Sequence, residues 1–422
     1  MFKTIRDAFK APDLRKKILF TLAMLFVIRI GAAIPIPGIN SQVLKDYFAK
    51  AGDLLGLFDA FSGGAFASMT LFALGIIPYI NSSIIMNLLT IAIPSLEEMQ
   101  KEGEDGRKTI AKITRYLTIV LALIQATATS IGLRGIFNEY SFLSVITAIF
   151  AMTAGTAFLM WIGERINENG IGNGISLIIF VNILSRLPAG ISTLKNLVVV
   201  QQKYFAVLGI AVLSLGMILL VVLIYLGERR ISVQYAKKMQ GRRTYGGQST
   251  HIPLKVNMAG VIPVIFASSL LQFPRILTSF FTDAPPEKWQ FVINFLDYYN
   301  SISGIIIYFL LIIAFCFFYT KIIFNPFEVA NNMKKNGGFV PGIRPGKPTV
   351  DYLTHILNRI IFIGGVLLGI VATAPIILSL AAKVQIGLGG TSLIIVVGVC
   401  LETIKQIESQ LVMRNYKGFL NS

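Results

Sequence analysis

The chain has 422 residues, of which 54% are hydrophobic and only 14% charged, with a net charge of +17 and a mean hydropathy of +0.70. A water-soluble domain of this length needs far more polar surface, so the apolar excess must face lipid, which excludes a soluble enzyme or binding module. The two cysteines, Cys316 and Cys400, both sit inside apolar runs and support neither a disulfide framework nor a metal site.

The first residues, MFKTIRDAFKAPDLRKK, are basic and lead into an apolar segment that lacks a small-residue cleavage site. That is the pattern of an uncleaved first span. Crossing a hydrocarbon core of ~30 Å takes about 20 apolar residues. Segments of this kind run near 18–37, 65–93, 116–133, 141–163, 171–190, 204–227, 256–281, 302–324, 360–382 and 386–409, predicting ten spans. The fifth is opened by Gly172-Asn173-Gly174 and the tenth by Gly387-Leu388-Gly389-Gly390.

Between the first and second spans, Leu54, Leu57, Phe58 and Phe61 fall at i, i+3, i+4 and i+7, which gives residues 53–62 one apolar helix face. At 1.5 Å per residue such a helix reaches only ~15 Å, about half the core. Gly63 and Gly64 supply a hinge after it. The segment either lies on the membrane surface or re-enters it, shielded by protein. If it sits in an outer vestibule, Asp53 and Asp59 are expected to turn toward water or helix ends.

Most of the 38 Lys and Arg lie in alternate inter-span segments, notably Arg229, Arg230, Lys237, Lys238, Arg242, Arg243 and Lys255 before the seventh span. This asymmetry puts both termini and the basic loop in the cytoplasm. Topogenic and lipid-facing roles account for much of the basicity, and nucleic acid is not required. Five spans precede residue 195 or so and five follow it, dividing the chain into 1–195 and 196–422. Because five is odd, a tandem repeat would sit inverted in the membrane, with room for a site between the halves. No similarity between the halves is evident in the residues themselves.

Apart from Arg29, no ionisable residue lies near the middle of a span, whereas ion-coupled transporters and pumps depend on such groups. Arg29 lies near the outer end of its span, where snorkelling or capping of carbonyls suits it. Residues 342–347, GIRPGK, are one residue short of a phosphate-binding loop, and Pro345 has no N–H to offer an anion. They form a stiff turn that displays Arg344. His251 and His355 have no ligand-spaced partners. No catalytic residue, metal or cofactor is expected, so the energy for moving anything must come from a partner, the membrane potential or chain synthesis.

Two long segments, QGRRTYGGQSTHIPLKVNMAGVIP (240–263) and FNPFEVANNMKKNGGFVPGIRPGKPT (324–349), closely resemble the SecY family, the large subunit of the bacterial protein-conducting channel. The resemblance covers nearly the whole chain. It implies an all-α polytopic membrane protein of ten transmembrane helices in two inverted five-helix halves around a central pore, with a short re-entrant plug. Carried over position by position, the pore ring falls on Ile76, Ile80, Ile175, Ile179, Ile265 and Ile395. Read without the resemblance, isoleucines in membrane helices face lipid or pack; as a ring they would make a narrow apolar throat that dewets and blocks ions.

The family further implies a plug formed by Leu54, Leu57, Phe58 and Phe61 with Gly63 and Gly64, and motor or ribosome docking at Arg344, Arg242 and Arg243. It places a lateral gate between the second and third spans and the seventh and eighth, with Asn81, Ser83, Asn87, Gln125, Ser268 and Ser269 nearby. Read alone, these polar groups need only be interhelical hydrogen-bonding residues. Pro78 and Pro263 are expected to let their helices bend. The implied partners are SecE and SecG, the SecA ATPase, the ribosome, signal-bearing polypeptides and membrane lipid, in the bacterial cytoplasmic membrane. The competing readings are an inverted-repeat secondary transporter, disfavoured by the missing midplane charges, and a membrane scaffold without a conduit.

Overall fold

The apolar runs become helices because a backbone surrounded by lipid must satisfy its own hydrogen bonds. The computed structural model describes residues 2–40, 43–44, 59, 62–199, 202, 204–235, 238–240, 243–245, 249–281, 287–298, 301–382 and 390–420. In the first half the helices are α1 (Phe2–Lys10), α2 (Pro12–Gly31), α3 (Ile77–Ala92), α4 (Pro94–Lys101), α5 (Glu104–Gly132), α6 (Phe142–Asn169), α7 (Gly174–Ser185) and α8 (Leu187–Val199). In the second they are α9 (Tyr204–Leu226), α10 (Ile262–Phe281), α11 (Glu287–Leu296), α12 (Ile302–Ile323), α13 (Pro326–Lys335), α14 (Lys347–Ala382) and α15 (Gly390–Leu420).

Among the described residues six helices are long and apolar enough to cross a membrane, and a seventh span results if α3 and α4, bent by 105°, are taken together. The remaining three predicted spans fall on α2, α10 and α15. Charges dilute the apolar run in α2 (Lys16, Lys17 and Arg29) and α15 (Glu402 and Lys405), and in α10 the apolar stretch among the described residues is the shorter Ile262–Leu271.

Two expectations are corrected. The second span does not begin as a helix at residue 65, because residues 63–76 form a chain of turns. Gly63, Gly64 and Gly75 all have positive φ, a conformation open to glycine and costly in a helix. Irregular backbone at membrane depth survives only when protein shields it. Here Ala65, Phe66, Met69, Phe72, Ala73 and Leu74 are buried, and Ile36 and Leu71 donate their amides to Met69 and Ile34 across a short bridge. Gly155 of α6 lets the Leu71 carbonyl approach where a Cβ would collide with it.

The second correction concerns Pro78 and Pro263, which are the second residues of α3 and α10. At that position no amide is missed and the fixed φ suits a helix start. They begin helices rather than bend them. The proline inside α10 is Pro274.

Helix packing repeats between the halves. In the first, α5 packs on α3 and α6, α6 on α7, α2 on α6 and α7, and α3 on α6. In the second, α12 packs on α10 and α14, α14 on α15, α9 on α14 and α15, and α10 on α14. Moving each helix of the first set five spans along the chain turns one arrangement into the other. The sets meet where α7 packs on α15 and α10 on α5.

The basic loop before α10 is folded, which the sequence reading did not anticipate. Strand β1 (Glu228–Tyr235) pairs antiparallel with β4 (Ser249–Lys255) and with β5 (Gly338–Phe339), while β2 (Lys238–Gln240) and β3 (Arg243–Tyr245) form a smaller ribbon. Alternation along β1 buries Ile231 and Val233 and exposes Arg229, Arg230 and Ser232. The buried side joins Leu254, Ala330, Met333, Leu353 and Ile356 in a core of its own beneath α13 and α14.

Candidate functional site

The six isoleucines that the resemblance assigns to a pore ring lie on four helix segments. Ile76 directly precedes α3 and Ile80 lies in its first turn, Ile175 and Ile179 lie in the first two turns of α7, Ile265 in the first turn of α10, and Ile395 near the start of α15. Asn173 starts α7 at this depth because its side chain accepts the Ile175 and Ser176 amides at 3.1 and 3.3 Å, as an N-cap does. All six isoleucines belong to one apolar cluster; five are buried and Ile175 is partly buried. They face the protein interior, while Ile85, Leu88 and Ile91 form the exposed side of α3.

On one side of these isoleucines the lining turns polar. A cavity of about 280 Å³ is bounded by Asn167, Gly172, Asn173, Ser176, Val399, Glu402, Thr403 and Gln406. It is lined by the start of α7 and by the middle of α15. The Gln406 side chain crosses it to accept the Gly172 amide at 2.7 Å. Apart from Gly172 and Asn173, which open the fifth span, these lining residues were not singled out from sequence, since single polar groups near a helix end carry no periodic signal.

On the other side lies a polar cluster at the far end of α7. Asp59 was expected to face water or a helix end; it is buried, and its carboxylate meets the guanidinium of Arg186, the residue that ends α7, at 2.6 Å. Its other oxygen accepts the Ala67 amide at 2.7 Å. Burial holds this carboxyl above the usual carboxylate range, opposed by Arg186, the Ala67 N–H and Ser62. Arg29 reaches the Asn182 side-chain carbonyl at 3.4 Å rather than snorkelling to the surface, and the Ser185 hydroxyl donates to the Gly63 carbonyl at 3.2 Å. Gly63 and Gly64 thus sit at the base of this cluster with φ of 68° and 91°. Leu54, Leu57, Phe58 and Phe61 lie outside the described residues.

Arg344 is exposed at the tip of a turn between Gly342 and Gly346, whose φ values are 82° and 107°. The Thr349 hydroxyl donates to the Arg344 carbonyl at 2.9 Å and fixes the loop to the start of α14. Arg242 lies outside the described residues; Arg243 opens β3, paired with Gln240. Among the described residues no group of three His, Cys, Asp or Glu could hold a metal ion.

The residues expected near a lateral gate lie on three helices: Asn81, Ser83 and Asn87 on α3, Gln125 on α5, Ser268 and Ser269 on α10. Several polar groups here bond within their own helix rather than between helices. Ser82 donates to Pro78, Thr127 to Leu123, Thr129 to Gln125 and Ser268 to Ile265, so they leave helix contacts free of polar ties. Asn87 differs, since its side chain interacts with Tyr319 of α12.

Comparison with known proteins agrees with this geometry. Residues 70–404 match the SecY family model. The protein translocase subunit SecY of Streptomyces galbus is 47% identical over 442 residues, covering 100% of both chains. Among solved structures, one described as a protein-conducting channel superposes with a TM-score of 0.65 at 19% identity, covering 94% of this chain and 93% of that one. Sec61 in a canine ribosome–channel complex from the endoplasmic reticulum gives 0.61 at 19% identity, over 94% and 93%. With a full-length relative at this identity and a fold shared from end to end, the chain belongs to the SecY family.

Proposed function

We propose that this chain forms a protein-conducting channel that passes unfolded polypeptides across the cytoplasmic membrane and releases apolar segments sideways into lipid. One observation carries the reading: six isoleucines from four helix segments, drawn from both halves of the chain, share one interior cluster above a polar cavity. A β-branched apolar ring offers a passing peptide no hydrogen bonds that would hold it, and when narrow it excludes water and ions. Family membership supports the same reading.

The residues take the following roles in it. Ile76, Ile80, Ile175, Ile179, Ile265 and Ile395 close the throat around nothing larger than an extended chain. Leu54, Leu57, Phe58 and Phe61, with Gly63 and Gly64 as hinge, form the plug on the outer side. The halves 1–195 and 196–422 part between α3 and α5 on one side and α10 and α12 on the other, past Asn81, Ser83, Asn87, Gln125, Ser268 and Ser269. Arg344, with Arg242 and Arg243, receives the motor or the ribosome at the cytoplasmic face, where both termini lie.

The chain works with SecE and SecG as companion subunits and SecA as the ATP-hydrolysing motor, and does no bond chemistry itself. Reconstitution decides the matter: vesicles containing the chain and these partners should import a signal-bearing precursor only with SecA and ATP. Proton-coupled uptake of a small solute, without precursor import, would overturn the reading.

A further inference from the structure

We propose that the polar cavity beside the isoleucines is a subsite that holds the main chain of a polypeptide in transit, with the carboxamides of Asn167, Asn173 and Gln406 donating to its carbonyl oxygens. This rests on the channel reading above and adds to it the place where the passing chain is gripped.

Each of the three carboxamides commits its oxygen to the turn that opens α7. Asn167 accepts the Gly174 amide at 2.7 Å, Gln406 the Gly172 amide at 2.7 Å, and Asn173 the Ile175 and Ser176 amides at 3.1 and 3.3 Å. A backbone N–H can only donate, so its position fixes which branch of each planar group is oxygen and leaves the NH2 on the other branch. Among the described residues no protein acceptor meets these three nitrogens, although all three side chains line the cavity of about 280 Å³ and are exposed. The cavity is therefore walled by N–H donors from α6, from the residue before α7 and from α15. Thr403 directs its own hydroxyl proton to the Val399 carbonyl at 2.7 Å. The Glu402 carboxylate is an acceptor for a main-chain N–H, and Lys255 and Lys405 lie close enough to offset its charge.

A conduit for unrelated sequences cannot select by side chain. The main-chain carbonyl is the one strong acceptor that every residue carries, proline included, and in an extended chain it has no internal partner. The position of the donors suits this task. Glu402 and Gln406 lie about two and three turns beyond Ile395 on α15, and Asn173 directly precedes the turn that carries Ile175. A chain arriving from the side of the carboxyl terminus meets the donors first and the isoleucines next. Because the isoleucines form no hydrogen bonds with it, resistance to backward slippage falls to this cavity.

The test uses the full-length chain reconstituted with SecE, SecG and SecA, and a precursor whose trailing domain is kept folded so that it stops in the channel. ATP is then removed and backward release is timed. Asn167→Asp and Gln406→Glu keep the oxygen that Gly174 and Gly172 need, lose the N–H donors and gain a negative charge. Each should shorten the hold about two- to tenfold, the range for one hydrogen bond, while Glu402→Gln, which adds a donor, should lengthen it. Gln406→Leu, which loses oxygen and nitrogen alike, should release as early as Gln406→Glu. Early release by Gln406→Leu with a parental hold in Gln406→Glu would mean that the residue acts only through its bond to Gly172, and overturns the subsite.

Three precursors separate hydrogen bonding from charge, stopped with an acidic, a basic or an uncharged stretch in the cavity. Loss of a donor shortens the hold on all three. Opposite shifts for the acidic and basic stretches, with the uncharged one unchanged, would reduce the effect to an electrostatic field and overturn the subsite. If Gln406→Glu does not insert, Asn167→Asp with the same three precursors decides the question. Failure of the parent to import with every partner and ATP present removes the channel reading and the subsite with it. Import by the parent, with parental holding times in Asn167→Asp, Gln406→Glu and the double variant, removes the subsite alone.

Discussion

The side-chain carbonyl of Gln406 accepts the Gly172 amide at 2.7 Å, joining α15 of the second half to the turn that opens α7 in the first. This is the seam opposite the proposed lateral gate, and it carries a direct polar tie. Gln406→Leu leaves the Gly172 donor without that acceptor and should cost about 1 kcal/mol, seen as an earlier unfolding transition of the detergent-purified chain. An unchanged transition would mean that water takes over the bond.

Replacing several of Ile76, Ile80, Ile175, Ile179, Ile265 and Ile395 with Gly or Ser should raise resting ion conductance in planar bilayers, because a wider or wetter throat no longer excludes water. Parental conductance in such variants would put the constriction elsewhere in the apolar cluster.

Arg344→Glu should reduce motor-driven import severely while leaving the protein as stable as the parent, since an exposed substitution away from packing usually changes stability by less than about 0.5 kcal/mol. The residue makes its recorded contact through its carbonyl, so the side chain is free of a structural task in that bond. Undiminished import by a normally folded variant would reduce Arg344 to a topogenic charge.

Leu254→Ala tests whether the cytoplasmic sheet is a rigid mount. Leu254 is fully buried between β1 and the helices beneath it, and such truncations cost about 2–5 kcal/mol. The expected outcome is protease sensitivity within residues 228–255 and weaker motor binding, with membrane insertion intact. Retained protease resistance would show that the sheet does not depend on this core.

Much of this architecture was legible in the residues because lipid imposes one rule on every span. The apolar runs at 116–133, 141–163, 204–227 and 302–324 each coincide with a helix. The same rule does not say where a helix ends in water, so α5 and α14 extend well beyond their apolar runs, starting at Glu104 and Lys347. The alternation of Ile231 and Val233 that marks β1 was hidden among the arginines of a loop whose charge had a sufficient explanation in topology. Which helix end Asp59 meets was not legible, because its partner Arg186 lies far along the chain and is brought to it by α7. The six isoleucines carry no periodic signal of their own. Only the fold gathers them.

Three helices begin within a turn or so of the throat: α3 at Ile77, α7 at Gly174 and α10 at Ile262. Each helix start carries the equivalent of roughly half a positive charge, and the apolar ring between them offers no counter-charge and little screening. The proposed throat thus lies in a positive electrostatic field made by backbone alone. Ions that leak through a widened throat should then show a bias toward chloride over sodium or potassium, and a polypeptide in transit should find the passage easier for its acidic stretches than for its basic ones.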